Sequence, residues 1–355
     1  MKGKRITAIG VVAATCLNIS ASLACSRITW LGPDGQVVTG RSMDWPYPFN
    51  ARFYIIPRGT QNDGAGGTNS LRWASKYGTA VVAGTTDPSG PVDATFDGMN
   101  EKGLGANLLY LDEADFGPAP TDDRPRISVG AWVQYVLSSF ASVGEAVAAI
   151  GEQSVYIVPA KFGPGKTHST VVHLALSDSS GDSAVIEFLN GKPVIHHGRE
   201  FQVMTNSPTY DEQLTLNNYW KGLDGSKFLP GSYRSEDRFV RASYYLSQLP
   251  QTKDERKAVA GVMSVIRNVS VPWGKVDPEH PNLSPTYWRT AFDHSRMIYY
   301  FESTLSANSV WLDLKKVNFG PTSGIRTVAL EGNYNIQGSV NTAFKPAKNI
   351  NYLTP

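Results

Sequence analysis

Cys25 is the only cysteine beyond residue 16, and the stretch before it reads as an export signal. Lys2, Lys4 and Arg5 give a basic start, and Ile9 to Leu17 forms a short apolar run. Ser22-Leu23-Ala24 then places small residues three places and one place before Cys25, the pattern after which signal peptidase cuts. The apolar run is too short to span a bilayer as a stable helix. Removal of residues 1–24 takes Cys16 away and leaves 355 − 24 = 331 residues with one thiol. Such a chain folds with no internal disulfide, so its stability must come from a buried core. Its length suffices for one large domain or two small ones. Exported proteins ordinarily use cysteine in pairs, and an unpaired thiol in an oxidising compartment is a hazard unless it works.

Cleavage after Ala24 puts a thiol and a free α-amine on one residue, a nucleophile beside a weak base. That is the layout of an N-terminal nucleophile hydrolase. An α-amine with a pKa near ~8 accepts protons close to neutrality, whereas a thiol near ~8.5 needs help, such as a nearby cation, to ionise. A second reading is a lipid anchor on Cys25, which would block the chemistry and leave a membrane-tethered binding protein. The lipoprotein signal prefers a leucine-like residue three places before the cysteine, where Ser22 stands, and Leu23 is one place late.

The formal charge of +2 includes the three basic residues of the signal, so the processed chain is near +2 − 3 = −1. No basic run follows, which argues against nucleic acid as a partner. His196-His197 lacks spaced acidic or cysteine partners for a metal. No phosphate loop, nucleotide fingerprint or Ser-His-Asp constellation is visible, so no cofactor is called for. There is no second hydrophobic span, and the expected location is the periplasm.

Short β-rich runs separated by turn signals predict strands at Arg27–Leu31, Gln36–Arg41, Arg52–Pro57, Thr79–Thr85 and Leu104–Leu111. A helical block follows from Ser128 to Gly151, with a break near Ala141-Ser142. Strands resume at His168–Leu176, Ala184–Leu189, Lys192–His197 and Phe201–Met204. Helices are predicted over Pro208–Asn218, Asp237–Ser247 and Asp254–Ile266, and β-hairpin material over Trp288–Leu314. This pattern argues an α+β fold of largely antiparallel sheets covered by helices. No composition shift marks a boundary, so residues 25–355 read as one domain. Its C-terminal extension, after about Arg326, is poor in core signal.

If the first two strands pair across the Gly32-Pro33-Asp34-Gly35 turn, the stretch Gly40-Arg41-Ser42-Met43-Asp44-Trp45 returns beside Cys25. Arg41 is then placed to supply the cation and Asp44 to orient the α-amine. A surface ion pair at a strand end fits the spacing equally well. Cys25-Ser26-Arg27 and this second stretch resemble the opening of the choloylglycine hydrolase family, which includes conjugated bile salt hydrolases and penicillin V acylases. Three further blocks follow in the family's order: Asp97-Gly98-Met99-Asn100-Glu101-Lys102-Gly103-Leu104, Met204-Thr205-Asn206-Ser207-Pro208-Thr209-Tyr210, and Leu229-Pro230-Gly231-Ser232 with Ser235 and Arg238-Phe239-Val240-Arg241.

The resemblance implies an αββα four-layer sandwich of the N-terminal nucleophile hydrolases, hydrolysis of a linear amide without cofactor or metal, and a homotetramer. By position it makes Cys25 the nucleophile, Arg41 its cation and Asp44 the amine-orienting carboxylate. Asn206 becomes an oxyanion donor, and Arg238 completes the polar cluster. Alone, Asn206 reads as a turn residue before Ser-Pro and Arg238 as part of a solvated helix face. At the second oxyanion position the penicillin V acylases usually carry tyrosine and the bile salt hydrolases asparagine. Counting from Asn100 gives Tyr110, although a shifted alignment would give Asn107. Tyr110 also reads as a buried strand aromatic whose backbone N–H is the donor. Trp45, Tyr54 and Trp73 are candidates for an apolar wall that receives an acyl or aromatic group, with core packing as the commoner fate of such residues.

Overall fold

The computed structural model describes residues 25–163, 165, 168–274 and 284–355. The predicted export signal lies outside these residues. Sixteen strands build two sheets: β1 (Ser26–Leu31), β2 (Val37–Asp44), β3 (Arg52–Ile56), β4 (Thr79–Gly84), β5 (Ala94–Asn100), β6 (Gly105–Tyr110), β7 (Val172–Ser177), β8 (Ser183–Leu189), β9 (Lys192–His197), β10 (Val203–Met204), β11 (Thr286–Asp293), β12 (Ile298–Ser303), β13 (Ser309–Asp313), β14 (Arg326–Ala329), β15 (Gly338–Ser339) and β16 (Lys345–Pro346). Five helices accompany them: α1 (Trp132–Ser139), α2 (Val143–Gly151), α3 (Tyr210–Lys221), α4 (Ser235–Gln248) and α5 (Glu255–Asn268). Three two-stranded ribbons lie outside the sheets.

The first sheet runs β10-β1-β2-β11-β12-β13-β15 and the second β9-β8-β7-β6-β5-β4-β3-β14-β16. Pairing is antiparallel throughout, except where β15 joins β13 in parallel. Helices α4 and α5 cover the outer face of the first sheet, with α3 packed on α4, and α1 and α2 cover the second. The result is the α+β, four-layer αββα arrangement. Between the sheets, Phe53 of β3 packs edge-on against Tyr299 and Phe301 of β12.

Local chemistry explains the helix ends. The predicted break falls between α1 and α2, where Ser142 accepts a hydrogen bond from the Glu145 N–H at 3.2 Å. Asp254 caps α5 through the amides of Arg256 and Lys257. Ala258, Val262, Val265 and Ile266 recur at helical spacing on the buried face of α5. That face meets β2 at Gly40, where an added Cβ would stand 2.6 Å from Val262 Cγ1 and 2.9 Å from Ile266 Cγ1. Glycine therefore sets how closely this helix approaches the sheet.

The sequence reading missed β5. Its only large apolar residues are Phe96 and Met99, and a glycine, a threonine and Asp97 interrupt the pattern. Residues after Arg326 add β14 beside β3, then run to both sheet edges. Among the described residues, no helix is long and apolar enough to cross a membrane.

Candidate active site

The β1–β2 hairpin places Ser26 opposite Ser42 and Arg27 opposite Arg41. Successive side chains of a strand alternate between faces. Arg41 and Met43 therefore reach between the sheets, while Ser42 and Asp44 share the helix-facing side with Gly40. Cys25, one residue before β1, lies where the two sides meet and is 1% exposed. Its Sγ is 3.8 Å from Arg41 Nη2 and 3.9 Å from Met43 Sδ.

Both terminal nitrogens of Arg41 are engaged. Its Nη1 pairs with Asp97 Oδ2 at 3.3 Å, its Nη2 donates to the Leu108 carbonyl at 2.9 Å, and its guanidinium lies 4.7 Å from the Trp288 ring centroid. Asp97 also accepts hydrogen bonds from the Thr290 and Tyr299 hydroxyls. Burial pushes the Cys25 thiol up, and the Arg41 charge pulls against that shift.

The main-chain side of Cys25 is equally ordered. Its N–H donates to Asn206 Oδ1 at 2.5 Å. Arg238 donates from Nη1 to the Cys25 carbonyl at 2.5 Å and to Ser26 Oγ at 2.6 Å, and from Nη2 to Asn206 Oδ1 at 2.8 Å. With Oδ1 accepting twice, the orientation of the Asn206 amide is set, and one Nδ2 hydrogen goes to the Tyr110 carbonyl at 2.7 Å. Asp44 receives hydrogen bonds from Thr286 and, at 3.4 Å, from Ser42. Burial raises its carboxyl to about 7, while Arg238 and Thr286 pull it down.

A gap in the second sheet opens beside the thiol. Strand β6 pairs with β5 only from Gly105 to Asn107. Beyond that, the β5-facing carbonyls of Leu108 and Tyr110 bond instead to Arg41 and Asn206. Leu111 N–H points the other way, to Val171 O. Main-chain groups alternate sides along a strand, so the Tyr110 N–H faces the same gap as its carbonyl. The arrangement can hold a thiolate beside a fixed cation and present two N–H donors to an oxygen carrying developing charge.

An apolar cavity leads away from the thiol. Cys25, Arg41 and Met43 share it with Trp45, Phe49, Phe96, Tyr110, Val129, Phe162, Val172 and Leu353, and with its open mouth it spans about 600 Å³.

The family model for linear amide C–N hydrolases, choloylglycine hydrolase family, matches residues 25–328. The chain belongs to the choloylglycine hydrolase family. It is accordingly an enzyme of the class that hydrolyses linear amide C–N bonds. It is 44% identical over 334 residues to penicillin V acylase of Pectobacterium atrosepticum, covering 90% of this chain and 88% of the relative. Identity to a bile salt hydrolase/transferase of Clostridium perfringens is 24%, over 83% of this chain and 93% of that protein. The fold superimposes on the structure of penicillin V acylase from Agrobacterium tumefaciens with a TM-score of 0.85 and 43% identity, covering 93% of this chain and 100% of that one.

Six residues singled out in the sequence (Cys25, Arg41, Asp44, Tyr110, Asn206 and Arg238) are brought together, and Trp45 lines the cavity. The Cys25 N–H donates to Asn206 Oδ1, and Asp44 is linked through Ser42 Oγ to the neighbouring Ser26 N–H, which donates to that hydroxyl at 3.2 Å. Arg238 faces β1 from α4 and is 1% exposed, in the cluster where the resemblance puts it and not on the solvated face that the helix pattern alone suggests. Two expectations need correction. Tyr54 lies outside the cavity lining, on β3 between β4 and β14. Trp73 lies on a separate ribbon, donating to Ser138 Oγ at 2.8 Å and meeting Tyr135 edge-on.

Tyr110 rather than Asn107 stands at the gap. The Asn107 side-chain amide is buried and has no hydrogen-bond partner among the described residues. Asp97 was missed: it lay inside a recognised block, but its link to Arg41 depends on how the two sheets stack.

Proposed function

We propose that this family member is an exported cysteine amidase of penicillin V acylase type. Its substrates join an apolar or aromatic acyl group to a small polar amine, as in phenoxyacetyl penicillins or N-acyl homoserine lactones. The observation that carries the reading is Arg41 Nη2 held 3.8 Å from Cys25 Sγ, beside an aromatic cavity. After removal of residues 1–24, the Cys25 α-amine takes the thiol proton and the sulfur attacks the amide carbonyl. The oxyanion takes the Tyr110 N–H and the second Nδ2 hydrogen of Asn206. The α-amine then protonates the departing amine, and water hydrolyses the acyl-thioester. Arg238 and Asn206 hold the N-terminal residue in place, and Asp44 supplies a negative charge close to the amine.

Tyr110 at the gap and the 44% identity to a penicillin V acylase favour these substrates over glycine- or taurine-conjugated bile salts. The test compares penicillin V, a medium-chain N-acyl homoserine lactone and glycocholate, with the Cys25→Ser variant as control. Cleavage of either of the first two but not glycocholate is expected, together with loss of most activity in the variant while it remains folded. Preferential cleavage of glycocholate overturns the substrate ranking, and hydrolysis by Cys25→Ser at the wild-type rate overturns the nucleophile assignment.

A further inference from the structure

Leu353 lines the cavity beside Cys25, although it lies 353 − 328 = 25 residues beyond the last position matched by the family model. The last residues of a domain usually fray unless tied down, and this tail is tied down. Asn349 Nδ2 donates to Gln61 O at 3.1 Å, and the Tyr352 side chain is 3% exposed. The main chain of Leu353 is fixed at both polar groups: its N–H donates to Asp93 O at 2.8 Å, and its carbonyl accepts from the Ser128 hydroxyl. Asp93 and Ser128 directly precede Ala94 and Val129, both of which line the cavity. The tail passes close to Gly130, where an added Cβ would stand 2.9 Å from Asp93 O and 3.4 Å from Leu353 Cβ. The side chain of Leu353 is thus placed by a clamped backbone, and it is 8% exposed.

We propose that the C-terminal tail is a specificity element, with Leu353 forming a wall that limits how far an acyl group extends into the cavity. The proposal rests on the amide-hydrolase reading of the site and adds where the acyl preference is encoded. A family core carrying Cys25, Arg41 and Asn206 supplies the chemistry, and the tail trims the pocket. Changes to the last residues then retune acyl length without touching the reacting groups.

The test is kcat/KM for N-acyl homoserine lactones of increasing acyl length, measured on wild type, Leu353→Ala, Leu353→Trp and Leu353→Met. A parallel series measures binding of the matching straight-chain carboxylic acids to Cys25→Ala proteins carrying the same changes. Each methylene newly buried is worth roughly 4-fold in affinity. Leu353→Ala should shift the optimum about two carbons longer, with a gain on the order of 10-fold for acids of that length. Leu353→Trp should shift it shorter, and Leu353→Met, of similar volume, should leave it in place. An unmoved optimum, with all lengths falling together or only the thermal midpoint changing, overturns the role of the tail. Failure of the wild type to cleave or bind any member of the series overturns the tail proposal, whereas the underlying reading is overturned only if penicillin V is not cleaved either.

Discussion

Replacing Asp97 by asparagine tests whether the cation beside Cys25 depends on its buried partner. Arg41 and Asp97 are 1% and 0% exposed and 3.3 Å apart. At an effective dielectric near 20, their attraction is about 5 kcal/mol. Asparagine keeps an acceptor for only one of the Thr290 and Tyr299 hydroxyls, which donate to different Asp97 oxygens. It leaves the guanidinium without its paired counter-charge, and a guanidinium cannot shed its proton. The Leu108 carbonyl and the Trp288 ring still hold Arg41, so the net loss should be about 3–5 kcal/mol, the usual cost of stranding one member of a buried pair. The reverse change, Arg41→Met, should cost less. The Asp97 carboxyl, already pushed upward by burial, takes a proton and retains its two hydroxyl partners. Urea unfolding of both single variants and the double variant, at constant pH, measures all three quantities. The double variant should recover a large part of the Asp97→Asn loss. A loss below about 1 kcal/mol for Asp97→Asn, or strictly additive losses, would refute the argument that this pair is one electrostatic unit.

Three further outcomes follow from the same contacts. The Asp44 carboxyl, raised to about 7, gains its charge as pH climbs through that value, so kcat/KM should show an acid limb near pH 7; Thr286→Val removes a donor to the carboxylate and should move that limb to higher pH. His294 is buried, bonded to Gly103 O and lowered to about 4 from an ordinary 6.5, so the unfolded chain takes up its proton first. Stability from this group is intact above pH 6.5, falls as pH drops toward 4, and totals about 3 kcal/mol; in His294→Gln the urea midpoint should lose that part of its pH dependence. Gly40→Ala should lower stability by about 1–3 kcal/mol through the clash with Val262 and Ile266, with a retained urea midpoint counting against the close approach.

Local signals carried much of this fold. The Pro-Asp-Gly turn and its flanking strands brought Arg41 and Asp44 to Cys25, because a hairpin's register follows from its turn. The apolar periodicity of α5 and the Ser142 cap were equally readable. What the sequence left hidden depends on how layers stack. Asp97 sits on a strand with a weak alternating pattern, and its partner comes from the other sheet. Tyr54 and Trp73 shared their chemistry with Trp45, yet only Trp45 faces the cavity, since an aromatic residue does not announce which side of which sheet it fills. Phe162 and Leu353 reach the cavity from segments more than a hundred residues from Cys25, and no local pattern points there. The orientation of Asn206 was likewise invisible, because it is set by two donors converging from Cys25 and the α4 residue Arg238.

The central claim is that Cys25 is both the first residue of the working enzyme and the atom that carries the acyl group. Rapid quenching of the purified exported protein with penicillin V, followed by peptide mass analysis, tests both halves at once. The expected product is an N-terminal peptide beginning at Cys25, with a phenoxyacetyl group on its sulfur that disappears on longer incubation. An active enzyme whose N-terminal peptide begins elsewhere, carries lipid on Cys25, or never gains the acyl mass would contradict the claim.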